Sequence, residues 1–367
     1  MEHGKVKAGT ESMTTWGWGA SVLSCVLTVL MLTPFAATMP FVGIDGSWAH
    51  ALNVATAQRL RFGSDVVFTF GPLASVYTGV YHPATDGLML GGALLIAIAL
   101  FAGLFAVVSP QRRTLLLLLP VVIGLGWGRD AVFLFLPLLL PYVVVRGVER
   151  GKPFTATLCI VAAAMAMLPV VKGNFGLIVA FATAIALILC WRSSRKTAIM
   201  IVVVQLIAIV GVWLISGQAL IDLPRYLLAL GPMLAGYTDG MSVEGRALDV
   251  VVFMVVGAFL LAISTLGGLR RHWYAPILVA AYLFVTFKSG FVRHDGHALV
   301  AAVALAFVGL LLCLAQGGRA GGLAVIAGLG GVGVDLQRLH VGHLGHLDGE
   351  VFRDGPPPSA RHLAAND

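Results

Sequence analysis

A chain of 367 residues that is 59% hydrophobic and only 11% charged cannot cover a water-soluble surface. Its mean hydropathy of +0.93 comes from continuous apolar runs rather than short alternating segments, which excludes a membrane β-barrel. The formal charge of +7 resides in turns between those runs, so no nucleic-acid partner is expected. The composition therefore predicts an all-α, polytopic membrane protein with a single transmembrane domain over 1–334 and a polar, disordered tail over 335–367.

In chain order, a short basic lead with Lys5 and Lys7 precedes a first apolar run at 16–38. That run is too long for an ordinary signal-peptide core, and many others follow it, so it reads as an uncleaved signal-anchor. An outer loop at 40–86 comes next. Further runs cover 87–108, 115–127, 131–145, 154–171, 175–191, 197–216, 249–266, 274–287 and 298–315, with a Gly-rich run at 321–334 as an eleventh candidate. A second long polar stretch occupies 217–248. The four cysteines, Cys25, Cys159, Cys190 and Cys313, all lie inside apolar runs and read as small buried hydrophobes.

Basic turns at Arg112/Arg113, Arg146/Arg150/Lys152, Arg192/Arg195/Lys196, Arg270/Arg271 and Arg319 alternate with the remaining breaks. If each run crosses once, all of them share a side with the amino terminus, and the positive-inside rule makes that side cytoplasmic. The expectation is about ten spans in a bacterial cytoplasmic membrane. The other polar breaks then face outward: the first loop, Arg129-Asp130, Lys172 to Asn174, 217–248 and Lys288 to His297. Ionisable groups at membrane depth cost roughly 2.5–3.5 kcal/mol each, so they tend to pair or to line a cavity. A water-accessible outward pocket is expected from Arg129, Asp130, Lys172, Lys288, Arg293, His294, Asp295 and His297. Asp130 reads equally well as an ion-pair partner of its neighbour Arg129.

Within the first loop, Asp45-Gly46-Ser47 reads as a turn handing over to an interfacial helix with Ser47 as N-cap and Trp48 as membrane anchor. Phe62 to Leu73 reads as an extended segment between glycine turns. It is expected to pack Phe68 and Phe70 and to leave Asp65 near the pocket, or paired with Arg59 or Arg61. In the tail, His340, His343 and His346 recur at a spacing of three without accompanying Cys or carboxylates, which makes a metal site there a weak expectation. No P-loop, G-x-S-x-G or H-E-x-x-H occurs, which disfavours ATP hydrolysis and common hydrolase chemistry.

Three segments carry a resemblance: D-G-S-W (Asp45 to Trp48), F-G-x-D-x-x-F-T-x-G-P-L (Phe62 to Leu73) and F-K-x-G-F-x-R-H-D-x-H (Phe287 to His297). Gly236 to Ser242 (GYTDGMS) looks like a fourth. Together they resemble a group of uncharacterised bacterial multipass proteins. An acidic residue after the first span, an interfacial helix and an extended segment also resemble the first outer loop of GT-C-type glycosyltransferases. That family includes protein O-mannosyltransferases and lipid A aminoarabinose transferases. The resemblance implies transfer of a sugar from a polyprenyl-phosphate donor to a glycan, lipid or protein acceptor on the outer face. It implies Asp45 as general base, with Asp65 as second choice. Lys172, Lys288, Arg293 and Arg129 would meet the leaving phosphate. His294, Asp295 and His297 would orient donor or acceptor, or hold a divalent cation. The chain departs from the enzymes in carrying Gly46 where they have a second acidic residue. Two other readings use the same polar clefts: a transporter or flippase for an anionic lipid, and a non-catalytic assembly protein for envelope glycans.

Overall fold

The computed structural model describes residues 15–125, 129–151, 154–266 and 272–332. Regular structure among them is helical, with β-pairing confined to isolated bridges. The helices are α1 (Thr15–Leu32), α2 (Ile44–Ala57), α3 (Ala74–Thr78), α4 (Asp86–Val107), α5 (Leu118–Gly124), α6 (Arg129–Phe135), α7 (Leu139–Glu149) and α8 (Thr155–Val171). They continue with α9 (Phe175–Ser193), α10 (Arg195–Ile215), α11 (Asp222–Met241), α12 (Ala247–Thr265), α13 (Tyr274–Phe291), α14 (Ala298–Gln316) and α15 (Gly318–Val332). Six helical segments are long and apolar enough to cross a bilayer: α4, Asp130–Glu149, α10, α12, α13 and α14. Four further apolar helices are shorter: Trp16–Leu32, Thr155–Val171, Phe175–Trp191 and Gly318–Val332. The chain is a polytopic helical membrane protein. The Lys5/Lys7 lead, Lys152, Arg270, Arg271 and the 335–367 tail with its histidines fall outside the described residues.

The centre of the bundle is α14, buried without interruption from Leu299 to Leu314. A helix that is apolar all round belongs there, because no face of it needs water. Asp130–Glu149 runs beside it and is also mostly buried, whereas α10 and α12 keep exposed apolar faces of the kind hydrocarbon would cover.

The structure corrects or adds to the sequence reading at three elements. The 115–127 run is not one α-helix: a 3-10 segment, Pro110–Leu117, leads into the short α5. Pro120 has no N–H to give the Leu116 carbonyl, and that carbonyl instead accepts from Ser24 Oγ of α1 at 2.7 Å. The 217–248 stretch is largely helical, as α11, with Pro232 inside it. Finally, α2 starts at Ile44, before the expected turn, because Gly43 takes φ +127° ahead of it. Ser47 therefore sits inside the first turn and donates to Gly43 O at 2.7 Å rather than capping. Asp45 lies in the positive first turn of α2.

Candidate functional site

The first loop is fastened to the carboxyl end of α8. A helix leaves its last four carbonyls without helical partners. Here Leu168 O is taken by Lys172 N at 3.0 Å, Val170 O by Leu73 N and Val171 O by Gly71 N, each at 3.2 Å. Pro169 O accepts from the buried Tyr226 hydroxyl of α11 at 2.8 Å. Gly173 N returns to Thr69 O at 2.8 Å, and Phe70 forms a bridge with Lys172. Gly71 is required by this approach, since a Cβ there would collide with Val170 O and the Tyr226 ring. Gln218 holds the other side of the loop, accepting from Phe62 N at 3.1 Å and donating to Leu60 O at 3.0 Å.

This junction sets Lys172 against α6. Its ammonium meets both oxygens of Asp130 at 2.9 Å, with side-chain exposures of 16% and 5%. The aromatic rings of Phe70, Tyr77 and Phe175 stand 4.9–5.5 Å from the same nitrogen. Cation–π attraction and a buried carboxylate together compensate the loss of hydration. Asp130 therefore pairs with Lys172 across 42 residues. Arg129 opens α6, and its side chain lies outside the described residues.

The aromatic group extends outward. Trp48 stacks on Phe70 at 4.8 Å between ring centres, and Phe68 lies 5.7 Å from Trp48. Tyr77, Phe133 and Phe175 continue it inward. Trp48 Nε1 donates to the exposed Asp45 carboxylate at 3.0 Å. The side chain expected to anchor in the interface thus links Asp45 to the Lys172 wall.

Asp65 does not join this group. Both its oxygens face Arg61, at 2.9 and 3.1 Å, in an exposed turn. The Arg61 side-chain hydrogen bond, the Arg61 backbone N–H and the guanidinium charge hold its carboxyl below the usual range.

The Phe287 to His297 segment forms a second group. Lys288 lies in the last turn of α13, exposed and with no ion-pair partner among the described residues. Asp295 accepts from Arg293 Nε at 3.0 Å and from His297 N at 3.0 Å, and meets His297 Nδ1 at 2.5 Å. Burial pushes the Asp295 carboxyl up, but the His297 hydrogen bonds and the His297 and Arg293 charges outweigh it and hold it low. The buried His294 ring lies 3.4 Å from Asp249 of α12. The Val243 strand-like segment crosses it, with Val243 N on Val292 O at 2.9 Å. Among the described residues no three His, Cys, Asp or Glu side chains converge on a metal position. The divalent cation considered for His294, Asp295 and His297 thus lacks a ready cage, because Asp295 serves its own turn and His294 turns to Asp249. The Tyr282 hydroxyl, on Ala131 O at 2.9 Å, ties α6 to α13 less than two turns before Lys288.

Sequence reasoning had no signal for Asp249, Phe133, Phe175, Gln218 or Tyr226, which are ordinary core or helix residues until folded. No family model, curated protein or solved structure matches this chain.

Proposed function

We propose that the chain is a GT-C-like membrane glycosyltransferase that moves a sugar from a polyprenyl-phosphate donor to a glycan, lipid or protein acceptor on the outer face of a bacterial cytoplasmic membrane. In this reading ten or eleven helices cross, and the amino terminus is cytoplasmic. The observation that carries it is the continuous wall Asp45–Trp48–Phe70–Lys172–Asp130. A pyranose has an apolar C–H face and a hydroxyl rim, so an aromatic platform edged by a carboxylate suits it. Asp45 takes the acceptor proton as the acceptor oxygen attacks the anomeric carbon and the phosphate leaves with the bonding electrons. Asp65, held on both oxygens by Arg61, is the weaker base. Lys288 and Arg293 meet the leaving phosphate, with Arg129 behind them. Lys172, engaged by Asp130, stiffens the wall and lends it positive potential.

Envelope glycans and polyprenyl-linked sugars compared with and without the protein test this directly. Loss of one glycan with accumulation of its outward-facing lipid-linked donor is expected. Unchanged glycans would sink the proposal. A transporter or flippase draws support from the 3-10 turn Leu136–Leu138 that interrupts the Asp130–Glu149 crossing at Pro137. It predicts instead that the lipid-linked sugar stays on the cytoplasmic leaflet.

A further inference from the structure

A cavity of about 530 Å³ opens at the end of the bundle away from the first loop. It is lined by Tyr142, Arg146 and Glu149 of α7, His272 and Tyr274 at the start of α13, and Gln316 at the end of α14. Glu149 lies 19 residues along the same crossing from Asp130, roughly 28 Å at helical rise, so the cavity sits at the depth of the opposite headgroups. The volume falls in the range of small-molecule sites.

Its chemistry is two-signed. Arg146 pairs with Glu149 at 2.8 Å, with side chains 25% and 20% exposed, and also donates to Ala315 O, which fixes the guanidinium. A purely anionic ligand would meet Glu149 and a purely cationic one Arg146, so neither is matched. Tyr142 and Tyr274 pack edge to face at 5.2 Å and offer aromatic surface to an ammonium. Tyr142 is 3% exposed, and its hydroxyl has no hydrogen-bond partner among the described residues, a costly state unless a ligand supplies one.

We propose that this cavity binds a phosphoethanolamine group, with its primary ammonium on Glu149 and the tyrosine rings and its phosphate on Arg146 and Tyr142. The group comes either from an aminophospholipid of the facing leaflet or from a soluble phosphoethanolamine compound. The site is separate from the proposed sugar-transfer wall and does not depend on it.

The test uses the purified full chain in nanodiscs of phosphatidylcholine alone, or with added phosphatidylethanolamine or phosphatidylglycerol, and reads the thermal midpoint. A parallel titration adds soluble O-phosphoethanolamine. A rise with phosphatidylethanolamine alone supports the lipid source, and a rise with the soluble compound alone supports the soluble one. Glu149→Gln should weaken the response about tenfold, the worth of one charge-assisted hydrogen bond. Tyr142→Phe should raise the midpoint in pure phosphatidylcholine, since it removes a buried unpartnered hydroxyl, yet lose much of the increment. Equal responses to all three lipids, no response to either source, or an undiminished increment in Glu149→Gln overturns the proposal.

Discussion

At the scale of single residues, the ammonium of Lys172 is the most constrained charge in the described structure. With a carboxylate on one side and three ring faces around it, loss of either partner strands a buried charge. Asp130→Leu or Lys172→Met alone should cost on the order of 3–5 kcal/mol, while the double change Asp130→Leu/Lys172→Met should recover most of it. Thermal unfolding of the four proteins would decide this, and strictly additive losses would contradict the pairing. Asp45→Asn should abolish the proposed transfer without lowering membrane abundance, whereas Asp65→Asn should leave transfer intact; full activity in Asp45→Asn removes the base assignment. Asp295 makes a pH prediction. Its carboxyl is held low in the folded chain, so its contribution is fully present above the ordinary carboxylate value near 3.9 and is lost as pH falls through the folded value. Asp295→Asn should therefore lower stability near neutrality and flatten the acid limb of a stability–pH profile below about pH 4, where variant and parent converge.

At the scale of elements, the junction between the first loop and the end of α8 is where local and distant sequence meet. Its carbonyls are satisfied by backbone donors from Gly71 and Leu73 and by one tyrosine hydroxyl. Tyr226→Phe leaves Pro169 O buried without a donor and should cost about 1–3 kcal/mol. Gly71→Ala should be more damaging than Gly87→Ala, because the first brings a methyl into backbone and ring while the second faces open space. Equal melting of these two variants would refute the close packing. The helices themselves were legible in the sequence: the apolar runs reappear as α4, α8, α9, α10, α12, α13 and α14 with ends displaced by a few residues. Less legible were the 3-10 entry to α5 and the helical form of α11. Both turn on prolines whose lost hydrogen bond, or tolerated kink, depends on what a neighbouring element supplies.

At the scale of the whole molecule, the two ends of the bundle are chemically unlike. One end carries the aromatic wall and the Arg293 to His297 turn. At the other, Arg112, Arg146 and Arg150 donate to the carbonyls of Gln316, Ala315 and Val108 and close helix carboxyl ends. If the first end faces out, cysteines introduced at Ser64 and Ser289 should react with an impermeant thiol reagent in intact cells, and labelling of either only after lysis would reverse the orientation. Hydropathy alone determined that this chain is helical and membrane-embedded, because a bilayer forces every backbone group into internal hydrogen bonds over a fixed length. It also singled out Asp45, Asp65, Lys172 and Lys288 as polar groups out of keeping with their surroundings. Which of them meet was decided only by tertiary structure. Lys172 found Asp130 and the Trp48 aromatics, Asp65 closed locally on Arg61, and Asp295 served its own turn, because ion pairing depends on distance in space, which sequence spacing across several crossings does not encode.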